Sequence, residues 1–557
     1  MKKILIANRG EIALRIVRAC RDAGYGSVAI ASEADSRALH AREADECHLL
    51  KGSSPRETYL NQQAILEVAA WSGADAIHPG YGLLSENETF AAAVEAAGLT
   101  WIGPPSAVIS QLGDKVAARE VARRVGAPLL PSYEDESFSV EKASRFVDAV
   151  GLPVIVKAQN GGGGRGMRIV RDLSELETQI AAASREAELA FGRPACFIER
   201  YVEHARHVET QCLADNHGNV AVVSTRDCTL QRRQQKLVEE APAPFLTVQQ
   251  NTRLVEASVA ILSAVNYRGA ATCEFLLTPQ GEIFFLEVNT RIQVEHPVSE
   301  EVTKIDLILE MFRIAEGERI DLERPQVSGH SIEFRINAED PWEDFRPTPG
   351  LVDRLDLPLG PGIRLDFGYS SGDTVPPFYD SLIGKVIVTG ADRQQAIVRS
   401  RRALAEFAIR GIKSTAPFHQ AILASPEFAA RSPEDFTIHT RWIDSEIGRL
   451  AGLVPQRKQT SVASDDSQPE MVASAGEVEI EATEPSYRVG IKAPLSGMVI
   501  ELLVGEGDSV SQGDIVAIME AMKMEQPVVA DHSGVVSKIN VATGGFVEMD
   551  ADILGLN

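Results

Sequence analysis

The sequence predicts an α/β protein of several domains that ends in a separate all-β module, and three observations carry that prediction. From the N-terminus onward, short apolar strand patterns alternate with amphipathic helical ones. Pro455 to Tyr487, rich in Ser, Ala, Glu and Pro with few large apolar residues, then breaks the pattern and reads as a disordered acidic tether. Beyond it the chain repeats itself. Ala493, Gly497, Gly507 and Val510 recur 37 residues later as Ala530, Gly534, Gly544 and Val547, and Ile515 recurs 38 later as Ile553.

A chain of 557 residues has room for about three or four domains, each with its own core. Its 44% apolar and 24% charged residues are those of an ordinary soluble protein. A net charge of -24 argues against a nucleic-acid partner or an anionic membrane surface, both of which would be repelled. The six cysteines (Cys20, Cys47, Cys196, Cys212, Cys228 and Cys273) form no CxxC pair and show no metal-ligand spacing, so reduced, mostly buried thiols and a cytoplasmic location are expected. The apolar run after Met1 is too short for a signal peptide, and no run reaches transmembrane length.

ILIA, Ile4 to Ala7, is a buried-strand pattern; after Asn8, Arg9 and Gly10 the apolar positions Ile12, Ile16 and Ala19 fall at helical spacing, opening a βα unit. Val28 to Ala31 is the next strand. Ala76 and Ile77 lead into HPGYG (His78 to Gly82), where Gly and Pro force a tight loop of the kind that lines ligand crevices in open α/β sheets. On pattern alone it is simply a loop. LLSEN (Leu83 to Asn87) and GDK (Gly113 to Lys115) carry no chemistry by themselves.

PVIVK (Pro153 to Lys157) is a strand ending in a lysine, followed by QNGGGGRGM (Gln159 to Met167) and a further strand at Arg168 to Val170. Four consecutive glycines cost ordering entropy and contribute no packing, so their use is close approach. Such a loop can fold over a phosphate chain and present backbone N–H groups, while Lys157 and Arg165 neutralise charge. It is no Walker loop, because no GK[ST] follows and strands flank it.

From Glu199 the chain alternates strands: IERYV, HVETQCL (His207 to Leu213), and AVVSTRDC running into QRRQQK (Gln231 to Lys236), which could be a solvated edge. The most specific local argument follows. Cys273 to Leu277 and Ile283 to Val288 are strands around PQGE, and a symmetric hairpin places Glu274 opposite Glu287. Facing carboxylates repel unless a divalent cation sits between them, and Asn289 on the same face adds a third oxygen ligand. If the strand stays regular, Arg291, Gln293 and Glu295 extend that face. A polar, solvent-facing hairpin is the structural alternative.

In the C-terminal module, two similar halves of short Val/Ile-rich strands with Gly turns predict a flattened all-β fold. Lys523 falls at the turn joining them, in EAMKME (Glu520 to Glu525). It is expected to be displayed, with Met522 and Met524 beside it in an exposed turn that solubility does not explain. This segment resembles the biotinyl domain of biotin-dependent carboxylases, in which AMKM marks the biotinylated lysine; the related lipoyl domains usually carry DKA here. Residues 1 to about 446 resemble the biotin carboxylase component of the same enzymes, an ATP-grasp family. ANRGEIA, IHPGYG, LSEN, GGGGRGM, RDC, QRR, EEAPAP, NTRIQVEHP and RINAED stand in the family's order.

The resemblance implies a Rossmann-like N-terminal domain (1–112), an ATP-grasp domain (113–325, lid about 130–203), an α+β C-terminal domain (326–446), a linker (452–487) and a biotinyl domain (488–557). It implies that ATP is bound by Lys115, Lys157, lid residues Gly163 and Gly164, the adenine-side segment Glu199, Arg200, Tyr201 and Val202, His207, Gln234, Glu274 and Glu287. Glu274, Glu287 and Asn289 would hold Mg2+, or Mn2+ in its place. Lys236, Arg291, Gln293 and Val294 would hold bicarbonate, Glu295 would be its base, and Arg335 would face biotin. Two departures stand out: RRQQK replaces the family's frequent RRHQK, leaving a ribose contact to Gln234, and Asn160 replaces a glycine at the start of the lid.

The implied reaction passes through carboxyphosphate to carboxybiotin on Lys523. No segment is left for a carboxyltransferase, so a partner β-subunit is expected to supply it, with an acyl-CoA as acceptor; a pyruvate-type acceptor remains open. Biotin protein ligase is expected to load Lys523, and the carboxylase domain to form a homo-oligomer. A carboxylate–amine ligase with a regulatory β-module and a passive carrier beside a dead carboxylase are the competing readings. EAMKME with VEHP argues against the first, and intact Lys236, Arg291 and Glu295 against the second.

Overall fold

The computed structural model describes residues 1–134, 139–158, 167–191, 195–320, 325–455, 487–522 and 524–557. The glycines of the lid, Gly163 and Gly164 included, Asn160, nearly all of the tether and Lys523 lie outside the described residues. The chain divides into two compact units. The first comprises Met1–Asn337, Leu351–Thr374 and Leu382–Val454.

The first unit opens with a five-stranded parallel sheet in the order Glu46–Leu49, Gly26–Ala31, Lys3–Ile6, Ala76–His78 and Thr100–Trp101. The expected βα unit is there: Ile4, Leu5 and Ile6 are wholly buried, and the helix Gly10–Ala23 turns Ile12, Ile16 and Ala19 into the core that holds Ile4 and Ile6. That helix starts at Gly10 (φ +66°) and stops at Gly24 (φ +76°), both in the left-handed region that glycine occupies without strain.

A four-stranded sheet follows, ordered Ser132–Tyr133, Cys196–Arg200, Val154–Ala158 and Met167–Val170. Lys157 pairs with Met167, so the glycine run connects two neighbouring antiparallel strands, as predicted. An eight-stranded sheet then takes up most of the site. Its order is Ile283–Asn289, Gly269–Leu277, Arg206–Ala214, Val220–Arg232, Gln235–Ala241, His330–Asn337, Leu382–Gly390 and Ile363–Phe367. Strands from either side of residue 325 pair in it, Glu239 opposite Glu333.

The second unit comprises Ala338–Gly350, Val375–Ser381 and Pro455–Asn557. Its C-terminal part is two four-stranded sheets: Val489–Lys492, Asp552–Leu556, Gly534–Ile539 and Ser509–Val510, and Met524–Val529, Ile515–Ala521, Gly497–Leu502 and Phe546–Val547. The repeated halves exchange strands, Gly497 pairing with Val547 and Val510 with Gly534. What recurs is a set of backbone demands. A Cβ on Gly497 would meet Glu520 O at 2.6 Å and one on Gly534 would meet Asn557 O at 3.0 Å, while Gly507 and Gly544 both have positive φ.

Ala521 pairs with Met524, so the strands Ile515–Ala521 and Met524–Val529 form a hairpin. The exposed methionine turn is corrected at Met522, which is buried at 3% exposure and whose N–H donates to Pro377 O at 3.0 Å within this unit. Among the described residues no helix is long and apolar enough to cross a membrane. All six cysteines are free thiols, four of them buried.

Candidate active site

The strands Gly269–Leu277 and Ile283–Asn289 place Glu274 opposite Glu287, as the hairpin argument requires. Beyond that pair the register slips by one residue, so Phe275 faces Phe285, but the half carrying the carboxylates keeps the predicted register. The strand does not continue past Asn289. Residues 290–295 leave the sheet and lead into the helix His296–Thr303, which corrects the expectation of a regular strand through Glu295. Their side chains nevertheless converge. Gln293 Nε2 and Asn289 Nδ2 both donate to Glu274 Oε1, at 3.0 and 2.9 Å.

At the centre is Lys236. Its Nζ lies 2.6 Å from Glu209, 3.0 Å from Glu274 and 2.6 Å from Glu295. His207 Nε2 is 3.0 Å from Glu274 Oε2. Arg335 binds Glu295 Oε2 at 3.0 Å and also Glu239. Arg291 donates to Glu86 at 2.8 Å and to Asn289 Oδ1 at 3.1 Å. The triads His207–Glu209–Glu274 and Glu209–Cys228–Glu295 have a metal-ligand spacing, but the cation they surround here is the Lys236 ammonium.

Charge sets each group's protonation. Burial alone would raise the Glu295 carboxyl, yet Lys236, Arg335 and Arg226 hold it well below the ordinary carboxylate range. Glu274 is lowered in the same way, burial being outweighed by Lys236 and His207. Glu287 goes the other way: burial raises it, and repulsion from Glu274 and Glu86 adds to that against the pull of Lys115, 3.8 Å distant. A carboxylate raised by its cross-strand neighbour fits a site that a divalent cation would relieve. Asn289 fits with one adjustment, since its Oδ1 faces Arg291 and a half-turn of the amide would bring it toward the carboxylates.

On the glycine-loop side, Lys157 Nζ lies 2.5 Å from Glu199, whose other oxygen is held by Arg119. The Glu199 side chain is therefore sealed, and the N–H groups of Arg200 and Tyr201 already donate to Pro131 O and Pro153 O. Val202 follows them, partly buried. Lys115 owes its place to GDK: Asp114 caps the helix Lys115–Arg124 by accepting from Ala117 N at 2.9 Å. QRRQQK is not an edge strand. Arg232 pairs with Gln235, and the tip, Arg233 and Gln234, has φ of 46° and 63°. Gln234 is exposed there; the amide that reaches the buried His207, 3.2 Å from its Nδ1, belongs to Gln231.

Sequence reasoning missed Glu86, Glu209, Arg226, Glu239 and Gln231. Glu86 lies in LSEN and Arg226 in RDC, so the motifs marked both without showing their partners. Glu209 had only its place two residues from His207, on the same strand face, as a signal.

Residues 1–109 match the biotin carboxylase N-terminal domain, 114–323 the carbamoyl-phosphate synthase L chain ATP-binding domain, 333–445 the biotin carboxylase C-terminal domain, and 489–556 the biotin-requiring enzyme family. The alpha3 subunit of a biotin-dependent acyl-coenzyme A carboxylase from Mycobacterium leprae is 44% identical over 97% of this chain and 96% of its own. The chain belongs to the biotin-dependent carboxylases. It is an ATP-grasp biotin carboxylase fused to a biotinyl domain. Other carboxylases of the family are similar over the carboxylase part: a pyruvate carboxylase subunit from Methanothermobacter thermautotrophicus is 45% identical over 79% of this chain and 89% of its own. The crystal structure of the Hydrogenobacter thermophilus 2-oxoglutarate carboxylase biotin carboxylase domain dimer, in complex with MgADP, ADP and bicarbonate, superposes with a TM-score of 0.77. It is 43% identical and covers 81% of this chain and 98% of that one.

Proposed function

We propose that the chain uses ATP and bicarbonate to carboxylate biotin held on its own Lys523, and that a separate carboxyltransferase subunit takes the carboxyl group to an acyl-CoA of the acetyl or propionyl type. The observation that supports this best is the double pairing of Glu295, with Lys236 at one oxygen and Arg335 at the other. So paired, Glu295 is ionised but weakly basic. Bicarbonate drawn to Lys236, Arg291, Gln293 and the Val294 backbone would take one cation away from it, and the biotin ring oxygen would take the other by binding Arg335. Glu295 then becomes basic enough to accept the bicarbonate proton only when both substrates are in place.

Lys115 and Lys157 would orient the ATP phosphates, Lys157 leaving Glu199 to do so, with Gly163 and Gly164 closing over them and His207, beside Gln231, near the ribose. Mg2+ would be held by Glu274, Glu287 and a turned Asn289, and would neutralise charge on the phosphates. The domain division at 112, 325 and 446, loading by biotin protein ligase, a homo-oligomer built on the carboxylase domain and work in the cytoplasm belong to the same proposal. The acyl-CoA acceptor is favoured because the Mycobacterium leprae subunit matches both parts of the chain. A 2-oxoacid acceptor is the second reading, which the pyruvate and 2-oxoglutarate carboxylase relatives favour.

Bicarbonate-dependent ATP hydrolysis stimulated by free biotin tests the carboxylase. Hydrolysis indifferent to bicarbonate would overturn it. Carboxylation of acetyl-CoA, propionyl-CoA, pyruvate and 2-oxoglutarate by the reconstituted subunits separates the two acceptors.

A further inference from the structure

We infer that Lys385 is a positioning residue for the bicarbonate end of the site, holding the Val294–Glu295 peptide from behind while Arg226 holds the adjoining Gln293 side chain. The inference rests on the proposed reaction and adds to it two residues that touch neither substrate. Lys385 lies on the strand Leu382–Gly390 and is wholly buried. Its Nζ donates to Val294 O at 2.8 Å and sits 3.1 Å from Glu11 Oε1, which also accepts from Tyr81.

A buried ammonium carries a desolvation cost that an apolar side chain of similar volume avoids, so packing alone does not call for a lysine here. What the lysine contributes is a charged donor aimed at one carbonyl. Val294 has no polar side-chain atom and can serve an anion only through its backbone. Its carbonyl and the Glu295 N–H share one rigid peptide plane, so fixing that oxygen fixes the origin of the Glu295 side chain.

One residue earlier, Arg226 acts on Gln293 in the same manner. Its five N–H donors are all used, on Glu209, Gln211, Ser299, Thr272 and Gln293 Oε1, the last at 2.9 Å. Gln293 Nε2 is thereby turned toward Glu274. Two buried cations thus hold consecutive residues of one irregular segment that no β-ladder supports.

The test replaces the ion pair with a neutral one, Glu11→Gln with Lys385→Met, which leaves neither member of that pair as a lone charge, although Lys385 also faces Glu333 and Asp366, but leaves Val294 O without its donor. Bicarbonate-dependent hydrolysis by the parent enzyme is measured first, and its absence would count against the proposed reaction, not against this inference. Expected for the double variant is a fall in kcat/KM for bicarbonate of roughly tenfold or more, with KM for MgATP within about twofold and Tm close to the parent. A kcat/KM for bicarbonate within about twofold of the parent, at unchanged Tm, would overturn the inference. Glu11→Gln alone keeps the Lys385–Val294 bond and serves even if the double variant does not fold. It should use bicarbonate as the parent does, and a fall in kcat/KM for bicarbonate of roughly tenfold or more would assign the effect to the ion pair and sink the carbonyl role.

Discussion

The carboxylase and carrier parts of the chain solve opposite problems. From Asn8 to Ser425 the first buries polar and charged side chains throughout, Arg226 and Lys385 completely. Among the described residues the carrier buries none: its core is Ile491, Val499, Val516, Met519, Val528, Ile553 and similar apolar side chains. Chemistry on two anions needs charges desolvated and held against one another, so distant parts of the chain must be brought together at a cost in desolvation. Presenting one lysine needs only a scaffold that packs. The carrier can therefore be apolar within.

That contrast is broken most sharply at Lys523. Lys523→Arg should abolish biotinylation and overall carboxylation while hydrolysis with free biotin stays near parental, because a guanidinium is not the amine that attachment requires. Retained streptavidin binding would end the assignment. Next in size, Lys236→Gln removes the cation shared by Glu209, Glu274 and Glu295. Activity with free biotin should fall at least about a hundredfold and Tm should drop; retention of a tenth of the activity would make the cluster structural.

Glu287→Gln should raise the Mg2+ requirement about tenfold and lower kcat. Because burial and Glu274 raise the Glu287 carboxyl, its ionised form costs stability at neutral pH, so the metal-free protein should melt at the same temperature or higher. A clear fall in that Tm would favour a structural role for the pair.

The smallest effect sharpens the comparison by acid. Arg393 and His330 outweigh burial and hold Glu240 down to about 2 from 4.5, so its contribution is present above pH 4.5 and lost as the pH falls toward 2. Paired buried carboxylates of this kind should lower the carboxylase melting transition over that range and leave the carrier transition nearly still. Glu240→Gln should narrow the carboxylase shift by up to about 3 kcal/mol. Equal acid sensitivity of the two transitions would contradict the contrast.

How much the sequence disclosed follows the same line. The carrier's repeat and its strands were legible because each demand is local: a glycine where a carbonyl comes close, a positive φ at a turn. In the carboxylase the Glu274–Glu287 pair was legible too, since a short hairpin sets its own register. Glu209, Arg226 and Lys385 were not, because nothing within ten residues of Lys385 hints at Glu11 or Val294. Periodicity failed past Asn289 for a related reason: residues 290–295 are placed by Glu86, Arg226 and Lys385, all far away in the chain. Met522 was misjudged because a hairpin turn is exposed by default, whereas its N–H is taken up by Pro377 O from far away in the chain.

Seven successive strands of the eight-stranded sheet each carry one of these side chains, in the spatial order Glu287, Glu274, Glu209, Arg226, Lys236, Arg335, Lys385. In the chain they come in a different order, joined by connections as short as the two residues Arg233 and Gln234 and as long as residues 338–381. A hydrogen-bonded ladder sets each strand a fixed step of about 4.8 Å from the next, whatever the length of the connection. Connections that carry no site residue can therefore lengthen or shorten over evolutionary time, or at an engineer's hand, without retuning the chemistry, whereas a one-residue insertion inside any of the seven strands would turn its side chain to the far face of the sheet.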